Sequence, residues 1–294
     1  MILIFGAGGQ VGQELAARAA AAGMPATALT RGEADICDAR QVAGAIAAAK
    51  PAVVINAAAY TDVDQAEREP DAAMRANATG PGILAGHCAA AGLPLIHYST
   101  DYVFDGKKTV AYREDDPPAP LGAYGRSKLA GEQAIRSRHA GHVIIRLAWV
   151  YGRYGRNFLK TMLRLRRERD EVRVVADQRG CPTATADIAE ATILLMALAT
   201  KGRFRFGTYH LAGTGETTWY GFAREIMESA NAITGKAVTV HPISTSDYPT
   251  IAPRPANSAL DSALFERTFG FRARPWQEAT RAVVAELLDN GEAR

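Results

Sequence analysis

The stretch Ile2-Leu3-Ile4-Phe5-Gly6-Ala7-Gly8-Gly9-Gln10-Val11-Gly12 couples a run of four apolar residues to glycines at 6, 9 and 12. An Ala-rich segment, residues 11–22, follows at once. A short apolar run ending on glycine reads as a buried strand, and the Ala-rich segment as a helix. Gly6 permits the tight turn between them, Gly9 lets backbone approach a pyrophosphate, and Gly12 lets the helix pack against the strand. The helix N-terminus then offers free N–H groups and partial positive charge to an anion. The spacing is GxxGxxG rather than the commoner GxGxxG, and such a trio can also be a plain structural turn. Its place between a strand and a helix makes it a dinucleotide site.

Outward from this unit, apolar runs and helical segments alternate. Strands are predicted at Ile2–Phe5, Ala26–Leu29, 52–56, 95–98 and 143–147, with helices over 11–22, 42–49, 72–91 and 124–138. Strands that are apolar throughout and joined by helices form a parallel sheet covered on both faces. Right-handed crossovers put all their C-terminal ends on one edge, where ligands bind. The fold class is therefore α/β, a Rossmann-type doubly wound parallel sheet, with residues 1–150 as the NAD(P)-binding domain. After about residue 150 the rhythm changes. A Gly/Arg-rich stretch (152–156) precedes a helix; further helices are predicted at 184–199, 219–232 and 277–288, with a proline-rich segment (Pro242, Pro249, Pro253, Pro255) between the last two. Residues 151–294 are read as mainly a smaller substrate-binding lobe whose elements partly return to the first sheet, with the tail 289–294 frayed.

Bulk composition narrows the partners. In 294 residues the formal net charge is only +3, and the densest basic stretch, Arg164-Leu165-Arg166-Arg167, runs directly into Glu168, Asp170 and Glu171. That is a solvated helix face, so no nucleic acid is implied. Cys37, Cys88 and Cys181 lie far apart with no CxxC, which argues for a reducing compartment and against a zinc site or disulfide framework. With no basic segment ahead of the first strand and no apolar run long enough for a bilayer, neither a signal peptide nor a membrane partner is expected, and the cytoplasm follows.

Cofactor choice rests on the end of the second strand, Leu29-Thr30-Arg31, where an NAD-specific protein often carries an acidic residue. Arg31 could accept a 2′-phosphate, or could simply begin a surface turn with Gly32; Asp35 could reach the adenine instead. NADPH or NADH is expected, with NADPH slightly preferred.

Tyr124-Gly-Arg-Ser-Lys128 carries the chemistry. Residues four apart share a helix face, so the phenol and ammonium point the same way. A nearby lysine favours the phenolate and makes tyrosine a better proton donor and acceptor near neutral pH. This is the sole Tyr-x3-Lys pair in the chain, and it follows a strand ending in Tyr98-Ser99-Thr100-Asp101. A Ser99 or Thr100 hydroxyl there can hydrogen-bond an oxygen being reduced, or can simply start a turn.

With these residues the chain resembles the extended branch of the short-chain dehydrogenase/reductase superfamily, and more narrowly the dTDP-4-dehydrorhamnose reductase family. The resemblance runs nearly end to end. It takes in the glycine loop, Val54–Asp64, His97–Gly106, Tyr124 with Lys128, Arg146–Gly152, Asp177–Thr183 and Arg254–Ser258. It implies a small-molecule partner, a dTDP-keto-sugar, whose C4 carbonyl receives hydride from nicotinamide and a proton from Tyr124. It also implies that Lys128 binds the nicotinamide ribose and tunes Tyr124, that Thr100 orients the carbonyl, and that Asp101 and Trp149 contact the sugar. Gly9, Gln10, Val11, Asp35, Ile36, Ala59, Tyr60, Thr61 and Tyr98 would line the cofactor. Read without the resemblance, Trp149 is a core indole at the end of an apolar strand. Some members pair as dimers through magnesium held by glutamates; Glu14 and Glu286 match two such positions, but Ala186 occupies a third. The incomplete set implies no magnesium here, and leaves monomer or homodimer open.

Three other readings compete. A dehydratase or epimerase of the same superfamily shares the fold, but dehydratases follow the hydroxyl residue with Asp–Glu, and here Asp101 is followed by Tyr102. A non-catalytic regulatory subunit of the methionine adenosyltransferase type uses the fold for binding alone, yet has no need of Thr100, Tyr124 and Lys128 together. A different keto-sugar nucleotide is the third. Arg153, Arg156 and Asn157, at the start of the second half, could meet the diphosphate, although surface placement suits the arginines equally.

Overall fold

The computed structural model describes residues 1–200 and 204–289. In chain order the elements are β1 (Ile2–Phe5), α1 (Gln10–Ala21), β2 (Ala26–Leu29), α2 (Ala39–Ala49), β3 (Val53–Asn56), α3 (Val63–Arg68), α4 (Pro70–Met74), α5 (Gly80–Ala91) and β4 (Leu95–Thr100). Then come α6 (Ala123–Arg138), β5 (His142–Leu147), β6 (Val150–Tyr151), α7 (Phe158–Glu168), β7 (Glu171–Val175), β8 (Arg179–Gly180), β9 (Thr183–Ala184) and α8 (Thr185–Thr200). The chain ends with β10 (Gly207–Leu211), β11 (Thr217–Thr218), α9 (Trp219–Thr234), β12 (Thr239–Ile243), α10 (Ala263–Phe269) and α11 (Trp276–Asp289).

Six parallel strands form the central sheet in the order β10-β5-β4-β3-β1-β2. β1, β3 and β4 are buried at every position, because helices cover both faces, whereas β2 at the sheet edge is partly open. The chain steps from β1 to β2 on one side and to β3 on the other. That reversal leaves a crevice beyond the C-terminal ends of β1 and β3, the position where doubly wound sheets bind ligands. β10, from the second half of the chain, completes the sheet beside β5. No helix among the described residues is long and apolar enough to cross a membrane.

Four local features differ from the sequence reading. The helix expected over 72–91 is divided into α4, a π-helical turn (Arg75–Thr79) and α5. Pro81 has no N–H to close a bond to the Asn77 carbonyl, and the Gly80 N–H reaches back five residues to Arg75 instead. β12 contains Pro242, which the sequence assigns to a loop; proline is tolerated because β12 has a neighbour only in β7. The basic stretch of α7 is not wholly solvated either. Arg166 is buried and donates to Thr234 and to the Lys236 carbonyl, while Arg164 pairs with Glu168 at 2.9 Å. Finally, Asp289 closes α11, and the rest of the tail expected to fray, 290–294, lies outside the described residues.

Candidate active site

The glycine turn is built on close backbone approach. Gly6 has φ +87°, and a Cβ there would fall 2.3 Å from the Ala58 nitrogen. A Cβ on Gly12 would fall 2.2 Å from the Gly6 carbonyl oxygen, so α1 can rise from the turn only if residue 12 has no side chain. The Gly6 and Ala7 N–H groups bond the Leu29 carbonyl, which ties the turn to the end of β2. Gly9 caps α1 with its N-terminal turn free of acidic side chains. An anion would meet that end of the helix unopposed.

A cavity of about 630 Å³ begins at this turn. Its walls run from Gly8–Val11 and Ala57–Ala59 past Thr61 to Tyr98–Tyr102 at the end of β4, then to Tyr124 and Lys128 on α6. Trp149, Arg156, Asn157, Phe158, Trp219 and Arg254 close the far side.

Within it, the two hydroxyls at the end of β4 have separate tasks. The Ser99 hydroxyl donates to Glu132 at 2.6 Å, inside a buried network in which Arg146 binds both Glu132 oxygens at 2.9 and 2.8 Å. Thr100 instead donates to Asp101 Oδ1 at 3.0 Å and accepts the Tyr102 N–H at 3.2 Å, on the same cavity wall as Tyr124. Asp101 is 3% exposed and its Oδ2 has no hydrogen-bond partner. Burial pushes its carboxyl up to about 7, against the opposing effect of the Ser258 and Thr100 hydroxyls. Burial likewise pushes the Tyr124 phenol well up; Thr100 moderates this, and the neighbouring Asp101 and Tyr102 add to it. Lys128 donates to the Tyr98 carbonyl at 2.6 Å, and burial brings its ammonium down to about 8 despite the Glu132 carboxylate. The expected lowering of the tyrosine by lysine is therefore not what this structure displays. The ammonium is turned to the strand, and burial governs the phenol.

Other residues singled out from sequence divide into wall and support. Ala59 and Thr61 line the cavity. Tyr60 lies behind them, donating to Glu69 at 2.9 Å, with its N–H held by Asn77 of the π turn. Tyr98 meets the cavity, but its hydroxyl bonds Thr192 at 2.7 Å in the core. Ile36 is a core side chain packed over Gly80. Arg31 is 86% exposed, 3.6 Å from Asp35, whose carboxylate also accepts the Cys37 N–H at 2.9 Å; neither lines the cavity.

Trp149 is a core residue that also forms cavity wall. It is 8% exposed, donates to Ser258 at 3.2 Å, and still forms cavity wall, stacked on Trp219 with centroids 3.6 Å apart. Its φ of +43° is a left-handed conformation rare for so bulky a residue, a strain typical of functional sites.

Sequence reasoning did not single out Phe158, Trp219 or Arg254 as site residues. Arg254 is fixed by Asp64 at 2.8 Å and reaches the Tyr102 hydroxyl at 3.5 Å. Asn157 caps α7 and donates to Gln10 at 2.9 Å, joining the second half of the chain to the glycine turn.

Known proteins resemble this chain along nearly its whole length. The chain matches the family described as RmlD substrate binding domain over residues 1–289. It is 45% identical to dTDP-4-dehydrorhamnose reductase of Sinorhizobium fredii, with 99% of each chain covered. Among solved structures, a dTDP-4-dehydrorhamnose reductase from Clostridium acetobutylicum superposes with a TM-score of 0.91 at 36% identity, covering 98% of this chain and 99% of the other. One from Bacillus anthracis in complex with NADP gives 0.89 at 36% identity, with 97% and 98% covered. Agreement at this level over nearly the whole chain leaves one assignment: the chain belongs to the RmlD family, the family of the dTDP-4-dehydrorhamnose reductases.

Proposed function

We propose that this protein reduces the C4 ketone of dTDP-4-dehydro-L-rhamnose to dTDP-L-rhamnose, with NADPH or NADH as hydride donor. The observation that carries the reading is the convergence of Thr100, Asp101, Tyr124 and Lys128 in one cavity that opens at the glycine turn. The residues present fit a dinucleotide. Gly8, Gly9, Gln10 and Val11 line the cavity at an uncovered helix N-terminus, and Ala57–Ala59 and Lys128 extend the wall toward Tyr124. When bound, the nicotinamide supplies the hydride. Tyr124, whose phenol burial keeps protonated at neutral pH, gives its proton to the C4 oxygen. Thr100 holds that oxygen against the phenol. Lys128, with its ammonium near the middle of its titration at about 8, binds the ribose and returns a proton toward Tyr124. Asp101 with its unpartnered Oδ2 takes a sugar hydroxyl.

The nucleotide has room beside the sugar. A second cavity of about 650 Å³ shares Phe158, Trp219 and Arg254 with the first and adds Arg173, Gln178 and Tyr248. Arg254 suits the diphosphate and the aromatic rings suit the base. On this reading cofactor binding belongs to residues 1–150 and substrate binding mainly to 151–294. The cysteines, among them buried Cys88 and Cys181, are free thiols, which suits a cytoplasmic setting. The protein is taken to act as a monomer or homodimer.

NADPH is the favoured donor, through a 2′-phosphate contact from exposed Arg31. Arg31→Ala should raise KM for NADPH about tenfold or more, as the loss of a charge-assisted hydrogen bond does, and leave NADH unaffected. Equal effects on both cofactors, or none, would exclude that role. The function itself is tested by mixing purified protein, NADPH and enzymatically prepared dTDP-4-keto-L-rhamnose and following reduced-nicotinamide absorbance against a no-sugar control. Consumption is expected. None from a folded protein that still binds NADPH would overturn the substrate and shift weight to another keto-sugar or to a purely binding role.

A further inference from the structure

Outside the catalytic cavity, one ion cluster joins three elements distant in sequence. Glu14, on the buried side of α1 and 3% exposed, lies 3.6 Å from the Arg153 Nε, an ion pair and not a hydrogen bond, for that buried Nε has no hydrogen-bond partner. Arg153 Nη1 donates to Glu286 of α11 at 2.7 Å. Arg18 binds the second Glu14 oxygen at 3.0 Å, and the Thr185 hydroxyl donates to the first at 3.3 Å. Glu14 and Glu286 are the two carboxylates that sequence matches to a magnesium site in some members of the family. Their donor set does not fit a metal ion. A guanidinium already bridges them, Ala186 offers no ligand at the third position, and no group of three or more His, Cys, Asp or Glu among the described residues could hold one. A planar guanidinium can serve two carboxylates at once, which the single ammonium of a lysine does only in part.

The bridge also adjoins a loop that forms cavity wall. Arg153 begins the turn whose Gly155, Arg156 and Asn157 form cavity wall. Asn157 fastens the other end, donating to the Gly152 carbonyl at 2.8 Å and to Gln10 at 2.9 Å. Gly155 has φ +65° and packs so tightly that a Cβ would fall 2.8 Å from the Gln10 side chain. The turn is thus held twice against α1, once at the start of the helix through Gln10 and once a turn further along through Glu14.

We propose that Arg153 is a positioning residue which, as a built-in cation in place of a metal ion, clamps residues 152–157 between α1 and α11 and so fixes the nucleotide-sugar end of the cavity relative to the cofactor helix. The clamp is geometry in its own right; its effect on the sugar nucleotide rests on the reductase reading. The test compares wild type with Arg153→Met and Arg153→Lys. In Arg153→Met, KM for dTDP-4-keto-L-rhamnose should rise about tenfold, with kcat within about threefold and KM for NADPH within about twofold, and Arg153→Lys should recover part of the loss. Amide hydrogen exchange at 153–157 should quicken about tenfold or more in the Met variant and slow again in the Lys variant. Neither EDTA nor excess magnesium should move the wild-type Tm by more than about 1 °C, since a ligand bound only to the native state would.

Unchanged exchange at 153–157 in Arg153→Met overturns the clamp. Parallel losses in kcat and both KM values, with no recovery in Arg153→Lys, reduce Arg153 to a structural residue. A wild-type Tm raised by magnesium overturns the metal-free part. A wild type that never turns over the sugar nucleotide sinks the reductase reading instead, and the exchange measurement still decides the clamp.

Discussion

Tyr124→Phe is expected to lower kcat by roughly 10²–10⁴ while leaving NADPH affinity within about threefold, the signature of a lost general acid. The substitution removes one hydroxyl and keeps the ring. That ring meets Tyr102 edge-on with centroids 5.9 Å apart, and it packs on the small cluster of Ala66, Ala73 and Ala123. Phenylalanine retains both contacts, so the site should keep its shape. What disappears is a proton that burial holds on the phenol at neutral pH. A loss of this size corresponds to about 3–5 kcal/mol of transition-state stabilisation. Steady-state kinetics beside a fluorescence titration of NADPH separates the two effects. Turnover within a few-fold of wild type would remove Tyr124 from the acid role.

Lys128→Met should abolish most turnover, by roughly 10²-fold or more, and weaken NADPH binding, yet it should not weaken the fold. The lysine is 2% exposed, and burial depresses its ammonium from an ordinary 10.5 to about 8. A depressed lysine means that the folded state binds fewer protons than the unfolded chain between those two values, so wild-type stability rises with pH through that window. Below pH 8 both states are charged, and the folded protein carries the whole burial cost, about 3 kcal/mol. Methionine removes that cost but forfeits the Nζ bond to the Tyr98 carbonyl, worth about 1.5–3 kcal/mol to a charged donor. The variant should therefore match or exceed wild type in urea unfolding at pH 7, and lose ground to it by about 3 kcal/mol as pH rises from 8 to 10.5. A large stability loss at pH 7 with the pH dependence unchanged would show the lysine to be a packing residue.

Both variants probe a site whose local parts could be read from sequence more readily than its assembly. The glycine turn was legible because one of its steric demands is local: Gly12 meets the Gly6 carbonyl, whereas the approach of Gly6 to Ala57 and Ala58 is not local. Tyr124 and Lys128, one helical turn apart, were legible for the same local reason. At Ser99 and Thr100 the sequence offered two equivalent hydroxyls. Only the packing of α6, which brings Glu132 to Ser99, separates them: both line the cavity, but Ser99 donates to Glu132 and Thr100 to Asp101. Trp149 was readable as core or as wall because it is both.

What sequence did not reveal depends on contacts between distant segments. Trp219 begins a predicted helix, but nothing local says that its ring will stack on Trp149. Arg254 sits in a proline-rich stretch with no periodicity, and Asp64, nearly two hundred residues earlier, aims it. The π turn at Arg75–Thr79 escaped because the alanine-rich pattern around it reads as one helix. Pro81 stood in the sequence as its signal; the Asn77 carbonyl pressed against Gly131 becomes visible only once α6 is in place.

The central claim is that hydride arrives at C4 of a thymidine-diphosphate keto-sugar while Tyr124 protonates its oxygen. It is tested most directly by running the reaction with NADPH deuterated at the transferable C4 position and analysing the sugar nucleotide by NMR. The account predicts one deuterium at sugar C4, the L-rhamno configuration there, and no labelled product from Tyr124→Phe over the same interval. NADPH bound but undepleted, or label at any other carbon, would contradict it.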